Sequence, residues 1–327
     1  MPLPTRSPLR SPLALYGYDE LRARGHDPAA DDWKRLRKGL YVLHAAYENA
    51  APWDRYATRV HAYFSTHPRA VLCLESAAVI HGLPRFGETA RIHVFDPQAT
   101  RSSTHADVCV HASADEREIV DVDGILVTSR ADTVVDLARV LPPAHALAVV
   151  DAAISRQHHA PLRLDDLGER AADQQSRRGA ARMRWVRDHA DERSESPAES
   201  TSRAVILWSG FEPPLLQVEF HYEGRTDRGD FFFPDARAIG EADGWGKYGL
   251  GDPTAAAIHL RDEKRREDRL RRHGHPFARW EGAEAEQPAA IGRALRGAGV
   301  RIVARPHRQY LATLGRNPRA VARRPQR

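Results

Sequence analysis

The feature that most constrains the fold is a succession of helix and strand patterns that begins abruptly at Ser196-Pro197-Ala198-Glu199. Serine at the cap, proline at the first helical position and glutamate at the third form a capping box, which predicts a helix over 197–209. Further patterns predict strands near 216–222, 229–233 and 236–242, a charged helix over 255–273, a strand near 276–280 and a helix over 287–297. This order predicts an α/β domain over residues 196–298.

Acidic residues occupy positions that such a domain would bring together. Alternate side chains of a strand share a face, so Glu241 and Asp243 point the same way. Asp230 lies on the preceding strand, and Glu199 lies on the capped helix. If these elements are neighbours, their carboxylates form a cluster that suits Mg²⁺ or Mn²⁺, which would hold a phosphate and activate a water. Asp230, Glu241 and Asp243 are the predicted metal ligands, and Glu199 and Lys247 complete the predicted catalytic set.

Each acid also has a purely structural interpretation. Glu199 is the expected capping partner of Ser196. Asp243 precedes Gly244 in a turn-forming pair, and Asp230 follows Gly229 at what could be the end of a hairpin. Glu241 is harder to explain in this way, because a central strand is normally apolar at such a position.

The amino-terminal part of the chain predicts a small winged-helix-like segment over residues 16–50. Its elements are a helix near 18–22, a turn at Gly25, a second helix over 28–36 and a strand over 38–42. Lys34, Arg37 and Lys38 at its edge are predicted nucleic-acid contacts. The alternative is an ordinary pair of short helices with no role in DNA binding.

Residues 51–155 predict an α+β module, in which a small sheet is covered by helices. A polar, helical connector over 156–195 follows. Two domains with a small extra module suit a chain of 327 residues.

Basic residues are concentrated at the carboxyl end of the chain. Residues 301–327 hold eight arginines and no acidic residue, so 299–327 is predicted to be a mostly disordered arm that could neutralise phosphates. A merely solubilising segment is the alternative. Lys264, Arg265 and Arg266 are further predicted contacts to the nucleic-acid backbone, with an exposed helix face as the default interpretation.

Other classes of function find little support in the residues. No apolar run is long enough to cross a membrane, and the first ten residues lack the apolar core of a signal peptide, so a cytoplasmic location without membrane contact is predicted. Cys73 and Cys109 lie in apolar runs, and neither a disulfide scaffold nor a zinc site is expected.

Short motifs in the first half of the chain resemble the AbiEi-type antitoxins of type IV toxin–antitoxin systems. The resemblance covers about residues 16–155 and is carried by Arg37–Val42, Glu75–Pro84, Ile92–Val94, Val122–Ser129 and Thr133–Arg139. It implies an α+β module preceded by a winged-helix remnant. It also implies autorepression through DNA binding and a nucleotidyltransferase-type toxin as partner.

Motifs in the second half are similar to Vsr-like nuclease domains of the PD-(D/E)XK class. They are Glu195–Ser200, Asp230-Phe231, Glu241–Gly244 with Lys247–Gly249, and Glu263–Asp268. The resemblance covers about residues 195–298 and implies a restriction-endonuclease-like fold. The class normally ends its signature in Glu-x-Lys, whereas this chain has Glu241-Ala242-Asp243, with Lys247 four residues beyond. A lysine ammonium group at position 243 would help to orient the attacking water or to stabilise the developing charge, so its absence argues against hydrolysis.

Besides a plain protein-interaction module, which would need no phosphate contacts, two hypotheses follow from these patterns. In the first, the protein is a Mg²⁺-dependent DNA endonuclease that uses the carboxylate cluster. In the second, it is a DNA-binding antitoxin or transcriptional regulator that retains the nuclease fold as a scaffold.

Overall fold

The computed structural model describes residues 9–243 and 253–321, with side chains throughout except at 253–260. Lys247 and residues 322–327 therefore lie outside the described part of the chain. The chain divides into two compact units. Unit 1 comprises Met1–Leu141, Arg163–Arg184 and Asn317–Arg327, and unit 2 comprises Pro142–Leu162 and Trp185–Arg316. These limits differ from the predicted boundaries, because the helix over 143–154 groups with the second half of the chain.

Unit 1 contains most of the short strands. Its elements are β1 (Tyr16–Gly17), α1 (Tyr18–Ala23), β2 (Trp33–Arg37), β3 (Leu40–Leu43), α2 (His44–Asn49), α3 (Pro52–Thr66), β4 (Val71–Leu72), α4 (Leu74–Ile80), β5 (Ile92–Phe95), β6 (Ser103–His105), β7 (Val108–His111), β8 (Ile119–Val122), β9 (Ile125–Thr128), α5 (Arg130–Val140) and α7 (Leu164–Asp173).

Unit 2 is built on longer elements. They are α6 (Pro143–Ile154), α9 (Pro197–Trp208), β10 (Leu215–Tyr222), β11 (Arg225–Phe233), β12 (Ala238–Asp243), α10 (Pro253–Arg272), β13 (Phe277–Glu281), the 3₁₀ turn Gly282–Glu284, α11 (Pro288–Gly297) and α12 (Arg308–Leu311). Helix α8 (Ala180–His189) begins in unit 1 and ends in unit 2.

The predicted second helix of the winged-helix-like segment is wrong. Residues 28–32 form turns, and β2 pairs with β3 in a small sheet of order β1-β3-β2. Gly39 takes a left-handed φ of 76°, which permits the tight reversal between the two strands. The Trp33 ring packs edge-on against Tyr16 at 5.1 Å between centroids. Strand pairing and aromatic packing thus override the weak local helix pattern.

The larger part of unit 1 is the predicted α+β arrangement. Six strands form a mixed sheet of order β6-β7-β5-β4-β9-β8. Apolar residues of α3, α4 and the central strands pack together, with Tyr56, Val60, Leu72 and Ile92 fully buried. The helices at the carboxyl end of the predicted 51–155 module are α5, in unit 1, and α6, which groups with unit 2.

Unit 2 contains a four-stranded sheet of order β10-β11-β12-β13. Its first three strands are antiparallel, and β12 runs parallel to β13. Parallel neighbours need a crossover connection, and α10 supplies it. Phe231, Phe233, Ile206 and Trp280 form the centre of the core. The predicted helices and strands of residues 196–298 are confirmed in their predicted order.

The basic segment over 299–321 differs from the predicted disordered arm. Ile302 forms a β-bridge with Phe211, and Tyr310 stacks on Trp208 at 5.0 Å within unit 2. In unit 1, Arg319 forms an ion pair with the buried Glu75. Apolar and aromatic residues between the arginines give the segment surfaces to pack, which a count of charges does not reveal.

Within residues 9–243 and 253–321, no helix combines the length and apolar character needed to cross a membrane.

Candidate functional site

Glu199 is held at the start of helix α9 by the predicted cap. The Ser196 hydroxyl accepts a hydrogen bond from the Glu199 backbone N–H at 3.1 Å. The Glu199 carboxylate is buried and accepts bonds from the Glu195 backbone N–H at 3.0 Å and from Gln217 Nε2 at 2.9 Å. Burial, together with the charge of nearby Asp230, raises the pKa of Glu199 to about 7. Glu199 is therefore both a capping residue and part of an acidic cluster.

Gln217 is a member of this group that sequence reasoning missed. It lies in β10 with a left-handed φ of 52°, a conformation that costs a non-glycine residue backbone energy. Its amide is the group that reaches Glu199. A glutamine within a strand pattern gives no indication in the sequence that its side chain will bind Glu199.

Asp230 and Glu241 are brought together by strand pairing. Phe231 of β11 is opposite Gly240 of β12 in an antiparallel register, which places Asp230 across from Glu241. An Asp230 carboxylate oxygen accepts a hydrogen bond from the Ala242 backbone N–H at 3.2 Å. Asp230 also adds to the raised pKa of both Glu199 and Glu241.

Glu241 and Asp243 share a face of β12 as predicted, and helix α10 adds a third carboxylate to them. Oxygens of Glu241, Asp243 and Glu263 all lie within 4.8 Å of one another. Glu241 is 3% exposed, whereas the other two are half-buried. Glu263 belongs to a charged helix whose default interpretation was a solvated face, so its place in the cluster was not predicted.

Two guanidinium groups enter the same cluster. Arg266 binds one oxygen of Glu241, and Arg279 Nη2 donates to the other at 2.7 Å. Arg279 also lies 3.2 Å from Glu263, 3.2 Å from Glu267 and 3.7 Å from Asp243.

These ion pairs change the proton affinities of both partners. Burial raises the pKa of Glu241, while Arg266 and Arg279 act in the opposite direction. Burial disfavours the charged form of Arg279, but the surrounding carboxylates outweigh it and raise the pKa of Arg279. Acidic groups outnumber basic groups here, so the site retains negative charge for a cation.

The three predicted nucleic-acid contacts on helix α10 differ in their surroundings. Arg266 points into the carboxylate cluster and also donates to the Arg228 carbonyl at 2.8 Å, while Lys264 and Arg265 are exposed on α10. Arg265 is 3.8 Å from Asp262.

In the small sheet of unit 1, two of the three predicted nucleic-acid contacts form ion pairs with acidic residues. Lys34 pairs with Glu48 at 2.5 Å, and Arg37 pairs with Asp107 at 2.8 Å. Lys38 is exposed in the turn. Strand β2 replaces the predicted helix over 28–36 of the segment at whose edge these three residues lie, and their role as DNA contacts stays a prediction.

A second cluster of possible ligands lies in unit 1 and was not predicted. One ligand-type atom from each of His93, Cys109 and His111 lies within 4.8 Å of the other two. Cys109 and His111 are alternate residues of β7, but no local spacing in the sequence links them to His93 on β5.

One stretch of the chain matches a known protein family. Residues 70–187 match the family model for the AbiEi antitoxin C-terminal domain. The matched region contains the AbiEi-like motifs between Glu75 and Arg139 but not Arg37–Val42, and it extends to residue 187, into the stretch predicted to be a connector.

Relatives were found in Mycobacterium tuberculosis. Uncharacterized proteins from strains CDC 1551 and H37Rv are each 35% identical over 173 residues. The similarity covers 53% of this chain and 62% of each relative, so the chain spans about three fifths of the length of the relatives it matches. No solved structure matches the chain.

Proposed function

We propose that this chain is a DNA-associated protein in which an AbiEi antitoxin-like domain is joined to a divalent-cation-dependent phosphodiesterase of restriction-endonuclease-like fold. The observation that carries the proposal is the gathering of Glu199, Asp230, Glu241 and Asp243 around one end of β11 and β12. The elements over residues 196–298 follow the order predicted from their local sequence patterns, and this order is compatible with the fold that the Vsr-like motifs imply.

The donor set fits Mg²⁺ or Mn²⁺. Glu241, Asp243 and Glu263 offer hard carboxylate oxygens within 4.8 Å of one another, and Asp230 lies beside them on β11. The bound cation would polarise a phosphodiester and lower the pKa of a water. Glu199, whose pKa is near neutrality, is suited to accept the proton of that water.

Arg279 is our candidate for the cationic group that Glu-x-Lys enzymes place beside the phosphate. Four carboxylates hold its guanidinium group at the cluster, those of Glu241, Asp243, Glu263 and Glu267. A guanidinium beside the reacting phosphate would stabilise the charge that develops during hydrolysis. Arg279 would thus supply the charge that position 243 lacks.

Nicking of supercoiled plasmid by the purified chain tests this function. With Mg²⁺ or Mn²⁺ we expect nicked circles from the native protein, loss of at least about 100-fold in rate for Glu241→Gln, and a comparable loss for Arg279→Gln. The matched control is Asp262→Asn, which changes an exposed acid of α10 next to Glu263 and should retain the native rate. Metal-dependent nicking that is equal in the native protein and Glu241→Gln would reject the site.

A second candidate function is a non-catalytic DNA-binding antitoxin or regulator. Both oxygens of Glu241 are already engaged by Arg266 and Arg279, an arrangement that is also compatible with a purely structural ion-pair network. The match of residues 70–187 to an antitoxin domain supports the same alternative. Unchanged DNA binding in gel shifts, without nicking by either the native protein or Glu241→Gln, would favour it over the nuclease.

The antitoxin-like domain also suggests a protein partner. In this proposal residues 70–187 oppose a toxin of the nucleotidyltransferase type, as the AbiEi resemblance implies. Co-expression with such a toxin should restore cell growth, and Glu241→Gln should restore it equally because Glu241 lies outside residues 70–187. Failure of the native chain to restore growth would remove the toxin from the proposal and leave the nuclease test unaffected.

A further inference from the structure

The pairing of β5 with β7 in unit 1 gathers three side chains that favour a different kind of metal. The strands are parallel, with His93 opposite Cys109 and Phe95 opposite His111. Because alternate residues share a face, Cys109 and His111 point to the same side of the sheet, next to His93. His93 Nδ1 and His111 Nε2 are 2.8 Å apart.

We propose that His93, Cys109 and His111 form a binding site for Zn²⁺ or a similar thiophilic transition-metal ion. Imidazole nitrogen and thiolate sulfur are the ligands that zinc prefers, whereas Mg²⁺ prefers oxygen. With Zn–N distances of about 2.0–2.1 Å, two nitrogens of a tetrahedral site lie roughly 3.3 Å apart. The histidine pair therefore needs to separate by only about half an ångström to admit the ion.

A buried acid lies where a metal-bound histidine needs one. Glu75 Oε2 is 3.5 Å from His93 Nε2, the nitrogen that faces away from His111. Metal-ligating histidines usually donate their second N–H to a carboxylate or carbonyl, which fixes the ring and its tautomer. Arg319 Nη2 binds the same Glu75 oxygen at 2.6 Å and holds the carboxylate in place.

Because of its contact with Arg319, His93 must change its tautomer when a metal ion binds. Its Nη2 lies 3.1 Å from His93 Nε2, and since a guanidinium only donates, this contact places the lone pair of His93 on Nε2. Binding of the ion at Nδ1 places the proton on Nε2 instead, where Glu75 accepts it. The Cys109 thiol loses its proton to solvent and becomes the thiolate ligand.

The cluster is accessible on one side. Cys109 and His111 are half-buried, and His111 also lines a cavity of about 180 Å³ together with Ser113, Asp136 and Arg139. A water in this cavity can complete a four-coordinate site, as in zinc sites with three protein ligands.

Titration of the full chain with Co²⁺, a spectroscopic substitute for Zn²⁺, tests the site. We expect a thiolate-to-cobalt charge-transfer band that Zn²⁺ abolishes by competition. Cys109→Ser should remove the band, and His111→Gln should weaken Co²⁺ binding at least about 10-fold. Cys73→Ala removes the other thiol and should keep the band, as should Glu241→Gln, which alters the carboxylate site of unit 2.

Thermal unfolding provides a readout that does not depend on the band. Zn²⁺ should raise the Tm of the native chain and of Cys73→Ala but not that of His111→Gln, because an ion that binds only the folded state stabilises it. Circular dichroism of the metal-free variants establishes that each is folded. A native chain without the thiolate band, or equal Zn²⁺ stabilisation of native and His111→Gln proteins, would overturn the proposal and leave His93 and His111 as a hydrogen-bonded pair.

Discussion

Burial of carboxyl groups is the residue-scale property with the clearest consequences. Glu199 and Asp151 are both buried in unit 2, and burial is the largest cause of the raised pKa of each. Glu199 has neutral hydrogen-bond donors and an acidic neighbour, whereas Asp151 is bound to Arg203 at 2.7 Å. The first is expected to affect pH dependence, and the second to affect stability when its ion pair is broken.

Glu199 should make the folded state less stable as the pH rises through the acidic range. Its pKa is raised from 4.5 to about 7 on folding, so its contribution is fully present below pH 4.5 and is lost as the pH rises to about 7. At about 1.4 kcal/mol per unit of pKa, the loss approaches about 3 kcal/mol. Urea unfolding at pH 4.5 and pH 7 should show this loss in the native protein and a smaller one in Glu199→Gln. Parallel pH profiles for the two proteins would contradict the assignment.

Asp151→Asn should destabilise unit 2 strongly. The change leaves the buried Arg203 without its principal counter-ion, and breaking one side of a buried ion pair costs about 3–5 kcal/mol. Asp191 lies 3.6 Å from Arg203 and should keep the loss near the lower limit. Urea unfolding measures it, with the exposed Asp188→Asn as control, for which a change within about 0.5 kcal/mol is expected. Equal unfolding midpoints for both variants would show that Arg203 does not depend on Asp151.

At the scale of elements, strand β12 connects the core of unit 2 with the carboxylate cluster. Gly240 precedes Glu241, and a Cβ at this glycine would lie 3.1 Å from the Trp280 ring and 3.2 Å from Phe231 and Phe233. The strand is therefore packed closely on one face, and a methyl group at position 240 fits only if these neighbours shift by a few tenths of an ångström. The position of Glu241 depends on this packing.

Gly240→Ala should lower stability by about 1–3 kcal/mol, because overpacking moves the rings or the strand. If the strand moves, plasmid nicking should fall together with stability. Gly297→Ala at the end of α11 is the control, since nothing lies within 4 Å of its added Cβ. Thermal unfolding in which Gly240→Ala is as stable as Gly297→Ala would show that the rings adjust without cost.

At the scale of the whole molecule, charge is distributed unevenly along the chain. The formal net charge is +5, and eight arginines lie within residues 301–327. Arg319 is engaged by Glu75, so it is not available for phosphate groups. Arg323, Arg324 and Arg327 lie outside the described residues. Their contribution to DNA binding can be tested by removing their charges and measuring the salt dependence of binding.

DNA affinity should fall as salt rises, because each phosphate contact releases counter-ions. The slope of log K against log salt changes by about 0.9 for each contact to duplex DNA. Replacing Arg323, Arg324 and Arg327 by glutamine should therefore make the slope shallower by up to about 3. Gel shifts across a salt series measure it, with Arg163→Gln, an exposed arginine of unit 1, as control. A slope identical to that of the native chain would exclude these arginines from DNA binding.

The sequence by itself was sufficient for the order of elements over residues 196–298. The Ser196 cap, the strand patterns and the charged helix are local signals, and local signals survive in the folded chain when tertiary packing agrees with them. Alternation along β12 also placed Glu241 and Asp243 on one face. The helix expected over 28–36 was wrong because its pattern was weak and pairing with β3 was stronger.

Only the tertiary structure decided which distant residues meet. Arg279 reaches Glu241 because β13 runs parallel to β12 after a crossover through α10, and His93 reaches Cys109 because β5 and β7 pair in parallel. Neither pairing leaves a trace in local composition or spacing, since strand register is set by the packing of whole elements. For this reason the sequence indicated four carboxylates of one site, but it did not indicate that Arg266 and Arg279 bind Glu241 or that His93 joins Cys109 and His111.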